Sequence, residues 1–198
     1  MSYNEPDGRE TAVPASRYVV FLALAVGGCA LDLLSKHWAF AALGMPGGRT
    51  WWIVDDVFGI QTSLNEGALF GFGQGAVHYF ALISVVALVA ILYWLFVRKA
   101  ARDLLLTVAL GFVGAGIFGN LYDRLGLHGL TWNFANDLHE AGDRVYAVRD
   151  WVLVMIGDRP WPNFNVADSL LVAGVGVMLL HTFFFEGRAQ APQAPATQ

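Results

Sequence analysis

The stretch "VHYFALISVVALVAILYWLFVRKAARDLLLTVALGFVGAGIFGNLYDR", residues 77–124, holds two apolar runs, Val77–Val97 and Leu104 to about Tyr122. A basic connection carrying Arg98, Lys99 and Arg102 is all that separates them. Each run meets the ~20 residues needed to cross a hydrocarbon core about 30 Å thick. Three cations in so tight a turn mark its side of the membrane as cytoplasmic.

Two further runs of the same kind flank this pair, Tyr18 to about Leu43 and about Val166 to Phe185. The 198-residue chain is 56% hydrophobic and 14% charged, with a mean hydropathy of +0.50, well above that of soluble domains. The fold class that follows is an all-α integral membrane protein with four transmembrane helices. A net charge of -4 spread over tails and loops gives no surface for nucleic acid. Cys29 is the single cysteine, which excludes an intrachain disulfide and a cysteine zinc cage.

Four spans return both ends to one side. Arg17 before the first span and Arg188 after the last agree that this side is cytoplasmic. Residues 1–16 and the Pro/Ala/Gln-rich 188–198 read as disordered cytoplasmic tails, and 17–187 as one four-helix unit. Segments 44–76 and 123–165 then face outward. The first, "RTWWIVDDVFGIQTSLNEGALFGFG", has β-branched and aromatic residues on both sides of Asp55-Asp56, predicting a small β-hairpin or sheet between helices 1 and 2. Trp51, Trp52, Trp132, Trp151 and Trp161 belong to these outer segments, where amphipathic rings favour the headgroup level. Gly111, Ala115 and Gly119 form a small-residue stripe on the third span, which favours close helix packing.

Ionisable groups at membrane depth cost about 2.5–3.5 kcal/mol each on insertion scales, so each calls for a partner or a function. Asp32 and Lys36 have the i, i+4 spacing of a helical ion pair, although a lysine there can also snorkel outward. Asn120, Asp123 and Arg124 fall within one turn at the end of the third span. Arg124 suits a helix C-terminus; Asp123 does not, and needs Arg124 or another donor. In "NFNVADS", Asn165 and Asp168 have the spacing of a variant capping box, which accounts for Asp168 without chemistry.

If Asp168 meets a second carboxylate at the outer surface, the two share a proton, and one serves as base on water while the other serves as acid. Other hydrolytic schemes find little support. The chain has no H-E-x-x-H and no G-x-S-x-G, and His37, His78, His128, His139 and His181 lack ligand spacing. "DLHE" at 137–140 reads as a solvated loop, and the lipobox-like "LAVGGC" lies inside a helix that continues past Cys29.

Five blocks in order, "LDLLSKHWA" (31–39), "SLNEGALFG" (63–71), "GAGIFGNLYDRL" (114–125), "AVRDWV" (147–152) and "FNVADS" (164–169), resemble the motifs of the lipoprotein signal peptidases, or signal peptidase II. The resemblance runs from the first span to the last. It implies a four-helix aspartic protease of the bacterial inner membrane, with a small outer-face (periplasmic) β-structure. It implies as substrates lipid-modified prolipoproteins, cut just before the diacylglyceryl cysteine, with membrane lipids as the other partner, no metal or organic cofactor, and a monomer. The catalytic pair carries over to Asp150 and Asp168. Asn65, Gly67, Asn120, Arg124 and Asn165 match positions that line the site, and Asp123, Asp32 and Lys36 match supporting ones.

Between Arg124 and Asp150 the connection is longer than the family's, an enlarged periplasmic loop that offers Asp137 and Asp143 as rival partners for Asp168. Asp150 is preferred because V-R-D-W-V lies on the motif. Two other readings are a presenilin-like intramembrane protease, suggested by Tyr122-Asp123 but lacking G-x-G-D, and a non-enzymatic transport or assembly factor whose carboxylates relay protons.

Overall fold

The computed structural model describes residues 12–47, 49–67, 73–135 and 137–186. Of the expected tails 1–16 and 188–198, residues 1–11 and the whole of the second lie outside that set, as do residue 187 and positions 68–71 of the second motif block, whereas Ala15 and Ser16 already belong to the first helix. Four helices are long and apolar enough to cross a membrane. Helix α1 is Ala15–Leu43, α2 is Val77–Leu92, α3 is Leu104–Arg124 and α4 is Val166–His181. A wider π-type turn extends α2 over Tyr93–Val97 and α4 over Thr182–Glu186.

Apolar faces do not drive helices together in lipid, so close approach of small residues must. Helix α3 supplies them on two faces. Towards α1, a Cβ on Gly111 would press on Leu24, and Ala115 already fills the space beside Gly28. Towards α4, a Cβ on Gly116 would lie 2.5 Å from the Ala167 carbonyl, and one on Gly174 would lie 2.6 Å from that of Ala109. The expected stripe is therefore the α1 contact, and Gly116 with Gly174 makes a second seam that the stripe did not include. At the start of α3 the Asp103 side chain accepts the Leu106 N–H at 3.0 Å and faces His181 Nε2 at 2.6 Å. That pair ties the basic turn to the end of α4.

The outer segments form one four-stranded antiparallel sheet, ordered β1 (Trp51–Val54), β2 (Phe58–Asn65), β3 (Val148–Ile156) and β4 (Arg159–Pro160). Asp56 takes a left-handed conformation, φ 54°, at the β1–β2 turn, which a short acid tolerates better than most residues. The hairpin between helices 1 and 2 is present, but it is half of the sheet: β3 and β4 come from the second outer segment. The residues of β3 alternate as V-x-D-x-V-x-V, so Asp150 falls on one face with Val148, Val152 and Val154. Register pairs Ser63 with Asp150 and Asn65 with Val148, with a shift between Ile60 and Ser63.

The enlarged loop has its own small core. Trp132, Val145 and Ala147 are buried against Leu64 and Leu130, and Thr131 bridges to Arg144. Trp132, expected at the headgroup level, is 6% exposed and stacks on His139, ring centroids 4.8 Å apart. Trp51 and Trp161 do remain exposed.

Candidate active site

The sheet and the ends of α1, α3 and α4 that adjoin it meet at a buried polar cluster. Asn165 begins α4. Its Oδ1 accepts the Asp168 N–H at 3.0 Å, and Asp168 Oδ2 accepts the Asn165 N–H at 3.2 Å, so the capping box is complete in both directions. Asp32 Oδ1 accepts the next free N–H, that of Ala167, at 2.9 Å. Two of the three orphan donors beyond the cap residue, those of Asp168 and Ala167, are thus satisfied, one from α4 itself and one from α1.

With Oδ1 engaged, the Asn165 amide nitrogen points at acceptors. It donates to Asp150 Oδ1 at 2.6 Å and to Asn120 Oδ1 at 3.2 Å. Asn120 Oδ1 also receives Lys36 Nζ at 3.0 Å, and because an ammonium only donates, the Asn120 NH2 must face the other way. It donates to Asp168 Oδ1 at 2.9 Å. One continuous amide relay therefore joins Asp150 on β3 to Asp168 on α4.

Lys36 is fully buried and does not snorkel. Its Nζ lies 2.7 Å from Asp32 Oδ2 and 3.0 Å from Asp123 Oδ2, which with Asn120 gives one acceptor for each of its three donors. The donor that Asp123 needs is not Arg124 but Arg149. Arg149 Nε and Nη2 reach Asp123 Oδ1 at 3.0 and 2.8 Å, and its backbone N–H donates to Asp123 Oδ2 at 3.0 Å. The chain Asp32, Lys36, Asp123, Arg149 alternates in sign and sums to zero, the condition under which buried charges persist. It ends on the residue next to Asp150.

Arg124 turns instead to the β2–α2 connection and donates to the Gly67 carbonyl at 3.4 Å. The Gly67 N–H donates to Asn65 Oδ1 at 3.0 Å, and the Asn65 side chain hydrogen-bonds to Asp150. Glu66 pairs with His139 of the enlarged loop.

The two carboxyl groups differ in setting. Asp150 is 2% exposed; burial, and then the neighbouring Asp168 charge, pushes its pKa well above the usual carboxylate range. Asp168 is half-buried in the first turn of α4, where the helix dipole favours an anion. It also forms part of the wall of an apolar groove of about 450 Å³ lined by Trp161, Phe164, Val172 and Ala173. Two carboxyl groups held by amides, one of them inclined by burial to keep its proton, can act together as acid and base on a water.

A family model described as signal peptidase (SPase) II matches residues 24–184. The chain belongs to the signal peptidase II family. The lipoprotein signal peptidase of Rhodopirellula baltica is 49% identical over 175 residues, covering 87% of this chain and 75% of that one. That of Symbiobacterium thermophilum is 34% identical over 139 residues, 70% of this chain and 79% of the other. A bacterial membrane enzyme solved by the in meso method superposes with a TM-score of 0.69 at 23% identity, covering 89% of this chain and 94% of that one, a likeness of fold. Family membership with four membrane-capable helices makes this signal peptidase II a multi-pass membrane protease.

The family motifs converge in space. Asp32, Lys36, Asn65, Asn120, Asp123, Asp150, Asn165 and Asp168 share one bonded network, and Gly67 and Arg124 adjoin it through Asn65. Asp143 is spent locally, accepting the Glu140 N–H at 2.8 Å, and Asp137 is exposed in the loop. Sequence reasoning missed Arg149, Glu66 and His139. Arg149 had a signal, since strand alternation in "AVRDWVLVMI" puts it on the face opposite Asp150.

Proposed function

We propose that this chain is an aspartic endopeptidase that removes the signal peptide from diacylglyceryl-modified prolipoproteins, cutting just before the lipidated cysteine, with Asp150 and Asp168 as its catalytic pair. The observation that carries the reading is the amide relay through Asn165 and Asn120, which links Asp150 to Asp168 in the wall of an apolar groove. Asp168, ionised, takes a proton from the attacking water as the water oxygen bonds to the scissile carbonyl carbon, and Asp150 gives its proton to the carbonyl oxygen. In the second step Asp150 recovers a proton from the diol, Asp168 protonates the cysteine nitrogen, and the C–N bond breaks. Both groups finish in their starting states.

The apolar groove continues along α4 past Val172 to Leu171, Val175 and Leu179, which suits acyl chains or a signal helix. The site lies beside the sheet, at the end of the bundle away from the basic turn at Arg98–Arg102. By the charge rule this gives both termini to the cytoplasm of a bacterial inner membrane and the site to the periplasmic face. Residues 17–187 act as one monomeric peptidase unit, with membrane lipids around it and the dyad and its water supplying the chemistry.

Asp150→Asn and Asp168→Asn variants, assayed on a lipidated precursor in detergent micelles, test the pair. Each is expected to lose at least about a thousandfold in turnover while keeping the folded state. Normal turnover by either variant removes that residue from the dyad. Cleavage of an unlipidated helical substrate at the same rate would instead favour the presenilin-like reading.

A further inference from the structure

A second cleft reaches the site from the sheet side, and it is more polar than the first. It has a volume of about 260 Å³ and is lined by Ser63, Leu64 and Asn65 of β2, Asp150 of β3, Gln74 before α2, and Pro162 and Asn163 before α4. The apolar groove touches Asp168; this polar one touches Asp150. The two carboxyl groups are thus approached from two cavities of contrasting polarity.

On the peptidase reading above, the substrate has matching parts. Its signal helix and acyl chains belong to the bilayer, whereas the chain that follows the lipidated cysteine leaves into water. We infer that the polar cleft receives the first residue after that cysteine and selects for a small, neutral, hydrogen-bonding side chain.

The selectivity follows from what the walls carry. Besides Leu64 and Pro162, the walls carry hydroxyl and amide functions and Asp150, which becomes an anion once it has given up its proton. An acidic side chain seated there meets a like charge in a partly desolvated space, and a cationic one favours the ionised form of Asp150 before the reaction starts. An aliphatic side chain offers no donor to Asn163 Oδ1. Asn163 is pre-oriented to receive such a side chain. Its Nδ2 donates to the Gln61 carbonyl at 2.9 Å, and Gln61 is itself held by Thr50 at 2.8 Å. With Nδ2 committed, Oδ1 is the atom left to accept from a ligand.

The test uses full-length enzyme and lipidated precursors that differ only in the residue after the cysteine, which is Ser, Asp or Leu. Wild-type kcat/KM is expected to favour Ser over Asp by about tenfold or more, with Leu between or below. Gln74→Arg places a cation at the exposed side of the cleft and is expected to raise Asp relative to Ser several-fold. Asn163→Leu is expected to narrow the Ser-to-Leu ratio. Matched substitutions on the signal side of the cut control for general damage, since neither variant should change their ratios. Equal use of all three precursors by the wild type overturns the inference, as do ratios that neither variant shifts. No cleavage of any lipidated precursor by the wild type fails the peptidase reading itself.

Discussion

Asn165 holds Asp150 through its side-chain N–H at 2.6 Å while its Oδ1 caps the helix that carries Asp168. One side chain therefore performs two roles that a helix cap alone would not require. Two of its polar contacts converge on the candidate dyad, and the third, to Asn120, continues the relay.

The two roles separate by substitution. Asn165→Asp keeps an oxygen for the cap but removes the N–H donor and adds a charge against Asp150. It is expected to fold with a small change in melting temperature and to be inactive. Asn165→Ala loses both functions, at about 1 kcal/mol for the cap and about 1–3 kcal/mol for the unsatisfied acceptors. Thermal unfolding in detergent alongside turnover reads the two effects. An active Asn165→Asp enzyme would reduce Asn165 to a cap.

On the proposed mechanism, Asp150 is expected to set the alkaline limit of activity. Its pKa is raised by burial and by Asp168, and the proposed mechanism needs it protonated, so activity is expected to fall as pH rises through that value. The Asn65 and Asn165 hydrogen bonds oppose the rise because they favour the charged form. Removing Asn65 as a donor, in Asn65→Ala, is expected to move the alkaline limb of the kcat/KM profile to higher pH, whatever it does to the maximum rate. A lower rate with an unmoved limb would show that Asn65 acts by shape alone.

Asp123 is expected to matter through Arg149. Asp123→Ala leaves Lys36 and Arg149 buried with fewer anions than cations, which costs about 3–5 kcal/mol for a broken buried pair. Arg149→Lys keeps the charge but loses the two-pronged contact, so it should be milder in unfolding temperature yet still lower kcat by shifting the strand residue beside Asp150. If Asp123→Ala melts like the wild type, the charge chain is not holding the site together.

The helices were legible because twenty apolar residues are a local signal, and so was the cap at Asn165, whose partners lie three residues apart. The Asp32–Lys36 spacing was legible for the same reason. What escaped depends on distant pairing. Arg149 reaches Asp123 across 26 positions, and Ala167 finds Asp32 across 135. Nothing local says which carboxylate an arginine will choose. The second half of the sheet is a different case: β3 shows a period of two, but it sits in a segment whose length and polar residues suggest a loop. Trp132 likewise could not be told from a headgroup tryptophan, because the ring it stacks on belongs to the same long loop.

That loop is expected to brace the β2–α2 connection, which is the last relationship with a measurable consequence. His139 pairs with the buried Glu66 and stacks on Trp132, Leu138 approaches Gly75, and Tyr146 lies against His78, ring centroids 5.5 Å apart. Glu66 stands between Asn65, which bonds to Asp150, and Gly67, which receives Arg124. A double-mutant cycle of Glu66→Gln and His139→Ala is expected to give a coupling of about 1.5–3 kcal/mol, the size of a charge-assisted hydrogen bond. Each single variant should lower kcat more than it lowers the unfolding temperature of the helical bundle, since the contact lies outside the spans and one residue from the site. A coupling near zero, with turnover unchanged, would make the enlarged loop a covering layer with no hold on the catalytic strand.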